Sequence, residues 1–175
     1  MDFLNLENKD LEIRTAGDRL QVAGYASVFE EKNSYGEVVR YGAFAESLSS
    51  GRQVRFLFNH DPAAVIGRIL EIQEDEKGLF FVAEFLSEVE QARNVYQMLK
   101  NKAIDGVSIG FIATDDDYQN GVRFVKKAEL WEISIVTFPA CHSARINEVR
   151  RFDALTAAAA RLTAAVEELK QIDFV

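Results

Sequence analysis

Acid–base or nucleophilic chemistry in this chain would have to come from few residues, since it holds two histidines and one cysteine. His60 follows the apolar run Phe56-Leu57-Phe58 and Asn59 and precedes Asp61-Pro62. This predicts an imidazole at a strand end, just before a turn enforced by the proline, where it can still meet a substrate. Taken alone, a surface or loop-bonded histidine fits the position better. Ser108 lies in Asp105-Gly106-Val107-Ser108-Ile109-Gly110-Phe111. Alternation sends Val107, Ile109 and Phe111 to one face and Ser108 with Gly110 to the other. The hydroxyl would stand on a surface kept open by glycine, where a substrate backbone can come close. The same pattern also describes, more simply, a serine tolerated in a strand with glycine marking a bulge.

Glu132 is the single carboxylate within Leu130-Trp131-Glu132-Ile133-Ser134-Ile135-Val136. Buried unpaired among such neighbours it would be costly, and an imidazole is one natural partner, because a carboxylate can fix its tautomer and orientation. Glu129 competes for that role. Counted with period 2, the two glutamates face opposite ways, so at most one looks into a shared site. A strand-edge carboxylate in a surface ion pair remains an equal reading for either. Cys141 beside His142 suggests a thiol nucleophile or metal ligands, but adjacent side chains on extended backbone diverge, and no further Cys or spaced His completes a metal set. No Gly-rich phosphate loop is present either, so no cofactor or metal is expected.

The elements that must hold these residues are mostly strands. Segments 11–14 and 20–28 predict an opening antiparallel pair across Gly17-Asp18. A short helix is expected over 42–48, ended by Ser49-Ser50-Gly51. Strands follow at 54–58, 65–72 and, after the polar turn 74–78, at 79–85. Ser87 reads as the N-cap of a helix over 88–102. Strands resume at 106–113, 122–127 and 130–138, with Asp115-Asp116-Asp117 and Asn120-Gly121 reading as a solvated hairpin tip. Many strands with few helices predict a mainly β, α+β fold: an antiparallel barrel or tightly curved sheet with helices packed outside. From Asp153 an Ala-rich stretch with Leu155, Leu162, Val166 and Leu169 near one face predicts a C-terminal amphipathic helix. The only junction the composition suggests lies between residues 143 and 151, giving one domain over 1–150 and a helical segment over 151–175.

With 175 residues, 48% of them apolar, the chain can bury one sizeable core. Its 20 basic and 28 acidic residues leave a formal charge of −8. That charge disfavours phosphate backbones, and no nucleic-acid partner is expected. No signal-peptide pattern, no membrane-spanning run and no cysteine pair can be read from the residues, which fits a soluble protein of a reducing compartment with no membrane partner.

Four blocks, taken together and in order, resemble the prohead protease family of tailed phages. They are Gly24-Tyr25-Ala26-Ser27-Val28-Phe29; Phe58-Asn59-His60-Asp61-Pro62 with Ile66-Gly67-Arg68; Gly106-Val107-Ser108-Ile109-Gly110-Phe111; and Glu132-Ile133-Ser134-Ile135-Val136-Thr137-Phe138-Pro139-Ala140. The resemblance covers about residues 10 to 145, and that family in turn is similar to the herpesvirus assemblins. It implies an assemblin-like antiparallel β-barrel with surrounding helices and a serine peptidase with His60, Ser108 and Glu132 as its catalytic set. Glu132 stands where the assemblins carry a second histidine. An arginine-bearing oxyanion segment of the assemblins has no counterpart in Phe138-Pro139-Ala140-Cys141, so backbone amides near Ala140 or beside Ser108 are expected instead.

The resemblance also implies partners and place. The substrate would be scaffold or major capsid protein, trimmed in its N-terminal region during head maturation, or the enzyme itself by autocleavage. The enzyme would pair as a homodimer and act in the bacterial host cytoplasm, inside the assembling prohead. The competing reading is a non-catalytic scaffold or assembly chaperone of the phage head, working through its acidic charge and C-terminal helix.

Overall fold

The computed structural model describes residues 12–16 and 19–144. The elements run β1 (Glu12–Ala16), β2 (Arg19–Val28), β3 (Glu37–Val39), α1 (Ala45–Ser49), β4 (Arg55–Phe58), β5 (Asp61–Glu74), β6 (Gly78–Phe85), α2 (Glu90–Lys100), β7 (Gly106–Gln119) and β8 (Val122–Val136). All strands join one sheet in the order β1-β2-β6-β5-β4-β8-β3, with β7 paired to β8. The sheet curls into a half-barrel until β2 comes against β7.

β8 is the axis of this arrangement. It pairs antiparallel with β7 along nearly its whole length, while β3 and β4 lie parallel to its first and second halves. The two segments expected at 122–127 and 130–138 are therefore one strand, which absorbs register shifts along the β7 pairing instead of breaking. Asn120 and Gly121, with φ of 51° and 77°, form the tight turn between β7 and β8. The acidic run sits inside β7 rather than at the tip, where Asp116 pairs with Arg123 and Asp117 with Lys126. The two parallel pairings were not foreseen from the residues, although most of the ladders are antiparallel as expected.

β6 is buried along its entire length because it is central and covered on both faces. Leu79, Phe81, Ala83 and Phe85 enter the main core, while Phe80 and Val82 pack with Ala23 and Tyr25 in a smaller cluster. α2 covers the sheet through Ala92, Val95, Tyr96 and Leu99, and Phe85 lies edge-on between Phe56 and Tyr96. Its N-cap is Val89, not Ser87, whose hydroxyl instead bonds Glu88. α1 packs on β8 and β5. The expected C-terminal helix, and with it the boundary at residue 150, lies outside the described residues.

Candidate active site

The β4–β5 connection is tighter than Asp61-Pro62 suggested. Phe58 pairs with Asp61, which leaves Asn59 and His60 as the two turn residues. Their φ angles of 53° and 59° mark a hairpin turn with left-handed backbone at both central positions. Asn and His enter that conformation more readily than most side chains, but their surroundings still have to hold them there. Two bonds to β8 do so: Asn59 N–H donates to the Ile135 carbonyl at 2.9 Å, and His60 N–H to Ser134 Oγ at 3.1 Å. Pro62 falls where the β4–β5 register slips from Phe58–Asp61 to Leu57–Val65, a bulge that needs no ladder bond from it.

The β7–β8 register sets the other groups. Ser108 is opposite Ser134 and Gly110 opposite Glu132, so alternation puts these four on one face of the hairpin. A side chain at position 110 would fill the space that Glu132 uses: a β-carbon there would meet Glu132 Oε1 at 2.2 Å. Across this gap Glu132 Oε1 lies 2.6 Å from His60 Nδ1, and its other oxygen accepts a hydrogen bond from Ser134 Oγ at 2.6 Å. The Glu132 side chain is only 12% exposed, against 43% for His60. The bond to Glu132 raises the pKa of the imidazole above its ordinary value, and burial opposes it more weakly.

With Nδ1 engaged, Nε2 is the ring nitrogen left for a reactant. His60 and Ser108 line one cavity of about 110 Å³ between the end of β2, the loop into β3, and β7, with Ala140 and Cys141 closing one side. Among the described residues no hydrogen bond links the Ser108 hydroxyl to the imidazole. Glu129 stands apart, paired with Arg52 at 3.0 Å, and the same guanidinium stacks on the exposed Trp131. Cys141 is buried, with Sγ 3.4 Å from Glu31 Oε1. Burial pushes its thiol pKa up, and the nearby Glu31 carboxylate adds to this. That environment disfavours the thiolate that nucleophilic attack needs.

The sequence brought His60, Ser108 and Glu132 forward, and the structure gathers all three. Ser134 had not been singled out, although two residues along one strand from Glu132 is the spacing that puts two side chains side by side. Glu31, Asn33, Tyr35 and Glu37, which also line the cavity, carry no pattern that would have marked them.

Sequence and fold both relate this chain to known proteins. Residues 6–157 match the Caudovirus prohead serine protease family. The chain belongs to this family and is a protease. The prohead protease of Enterobacteria phage HK97 is 33% identical over 153 residues, covering 83% of this chain and 68% of that protein. The structure of the bacteriophage T4 capsid assembly protease superposes with a TM-score of 0.59 at 15% identity, covering 69% of this chain and 84% of that one. Varicella-zoster virus protease gives 0.51 at 13% identity, covering 89% and 92%. These last two show the shared fold, and the herpesvirus likeness accords with the assemblin-like architecture expected from the sequence. The non-catalytic scaffold reading gives way to a prohead protease.

Proposed function

We propose that this prohead protease is a serine endopeptidase that trims scaffold or capsid protein in its N-terminal region inside the assembling phage head, in the host cytoplasm. Ser108 is the nucleophile, His60 the general base and acid, and Glu132 the group that orients His60. The observation that carries this reading is the 2.6 Å contact from Glu132 to His60 Nδ1, on a histidine whose cavity is shared with Ser108. Nδ1–H donates to the carboxylate, which leaves Nε2 unprotonated and able to take the Ser108 proton as Oγ attacks the scissile carbonyl. The imidazolium then protonates the leaving amine, and water, activated by the same nitrogen, releases the acyl group. Glu132 stabilises the imidazolium without taking its proton. Hydrogen bonds between nucleophile and base commonly tighten only once substrate is bound, so the open Ser108–His60 geometry suits a free enzyme.

Backbone amides supply the oxyanion donors in this scheme. Val107 N–H donates away from β8, to the Ala144 carbonyl. By alternation Ile109 turns its amide to the same side, next to Ser108, and the Ala140–Cys141 turn lines the cavity opposite. Pairing of two copies and self-cleavage belong to the same proposal.

The test is co-expression of the chain with its phage's capsid protein, read by intact mass. A shortened capsid protein with wild type and a full-length one with Ser108→Ala is the expected result, and continued trimming by Ser108→Ala would overturn the assignment. The mass of the purified chain reports self-cleavage in the same run, and light scattering reports pairing.

A further inference from the structure

We infer that Ser134 is a positioning residue of this site, its hydroxyl holding the Glu132 carboxylate and the His60 backbone at once. The inference rests on the proposed roles of Ser108, His60 and Glu132. Ser134 is fully buried near the C-terminal end of β8, and a serine hydroxyl has one proton to give and lone pairs to receive. The proton goes to Glu132 Oε2 at 2.6 Å, a short bond to a charged acceptor. A lone pair receives the His60 N–H at 3.1 Å. The remaining carboxylate oxygen reaches His60 Nδ1, so the bonds form a closed circuit: His60 N–H to Ser134 Oγ, Ser134 to Glu132, and Glu132 back to the ring of His60.

Each link does something different. The bond to Oε2 stops the carboxylate from rotating about its terminal torsion, which would take Oε1 off Nδ1. The bond from His60 N–H holds a histidine in left-handed backbone, a conformation it does not favour. A buried hydroxyl needs one partner, but a serine that only filled space on β8 would not have to meet both this carboxylate and the His60 amide. Because Leu57 on β4 and Ser108 on β7 are the two register partners of Ser134, the same residue sits between the strand that leads to the base and the strand that carries the nucleophile.

A fluorophosphonate that reacts with activated serines tests this without a known substrate. The readout is the rate of Ser108 labelling against pH, with the adduct located by mass. Ser134→Ala should slow labelling by at least about tenfold, within the roughly 10²–10⁴-fold that base catalysis supplies, and should move the acid limb of the profile toward lower pH as the His60–Glu132 contact loosens. In a Glu132→Gln background the same substitution should cost at least about twofold less, because contacting residues are not additive. An equal cost in both backgrounds, with an unshifted limb, would mean a structural serine and overturn the inference, as would labelling at the wild-type rate. Ser134→Cys keeps a weak donor of similar size and should lie between Ala and wild type. It decides the matter by the same readouts if the alanine variant does not fold. Wild type left unlabelled at Ser108 would sink the serine-peptidase reading itself, an outcome distinct from a labelled wild type that Ser134→Ala matches.

Discussion

A β-carbon on Gly110 would stand 2.2 Å from Glu132 Oε1 and 2.9 Å from its Cγ and Cδ, so the absence of a side chain at 110 is what lets the carboxylate lie across the hairpin toward His60. The atoms in the way belong to a flexible side chain, not to backbone. Gly110→Ala should therefore fold, with a melting temperature within a few degrees of wild type, while Glu132 is pushed off His60. Capsid-protein cleavage should fall by roughly 10²-fold to 10⁴-fold, the range for losing the orienting acid of a serine triad. Full activity in Gly110→Ala would show that the placement of Glu132 does not matter to catalysis.

The Glu132 contact also predicts the pH dependence. It raises the His60 pKa, so the folded protein holds that proton to higher pH, and the neutral base appears only as pH climbs through the raised value. The acid limb of kcat/KM should accordingly lie above about 6.5, the ordinary imidazole value. Glu132→Gln removes the main cause and should bring the limb down toward that value while cutting kcat by roughly 10²-fold to 10⁴-fold. The charged pair adds stability below the ordinary imidazole value and loses it as pH rises through the raised one, a small effect for a ring this exposed. Glu129→Gln, at a surface pair with Arg52, should leave the profile unchanged.

Cys141 lines the same cavity as Ser108, yet burial holds its thiol pKa up. Cys141→Ser should keep at least about half of the wild-type turnover, and iodoacetamide at neutral pH should modify Cys141 slowly, as expected of a thiol with little thiolate. Loss of cleavage in Cys141→Ser together with rapid alkylation would transfer the nucleophile's role to the cysteine.

Much of this site could be read from residue order because strands have a period of 2: parity alone placed Ser108 with Gly110, and Glu132 away from Glu129. Parity would equally have placed Ser134 beside Glu132, but a serine in an apolar strand gives no sign of its partners until the neighbouring strands are known. The His60 turn was misjudged by two residues because Asp61-Pro62 carries the louder local signal, whereas Asn59-His60 depends on bonds to β8, which lies 74 residues away at Ser134. The parallel contacts of β3 and β4 with β8 have the same origin. They depend on how the chain crosses over the sheet, and short-range patterns do not encode that. The glutamates at 31 and 37 reach the cavity only because β2 curls against β7.

The backbone of the β4–β5 turn yields a final prediction that separates conformation from side-chain chemistry at Asn59. Its φ is 53° and its N–H bonds the Ile135 carbonyl at 2.9 Å, so its backbone is what aims the next residue, His60. Glycine enters left-handed backbone without penalty and keeps that N–H, so Asn59→Gly should retain cleavage within about twofold and shift the melting temperature little. Valine should pay about 1–2 kcal/mol to enter the same region. It has two ways out, since the protein can accept the strain or let the hairpin relax. Relaxation would turn His60 away from Glu132, so Asn59→Val should lose cleavage more steeply than stability, with the acid limb of the pH profile falling toward the ordinary imidazole value. If Asn59→Gly were as damaging as Asn59→Val, the asparagine side chain itself would be doing chemistry at the site, and the turn would not be the reason for its presence.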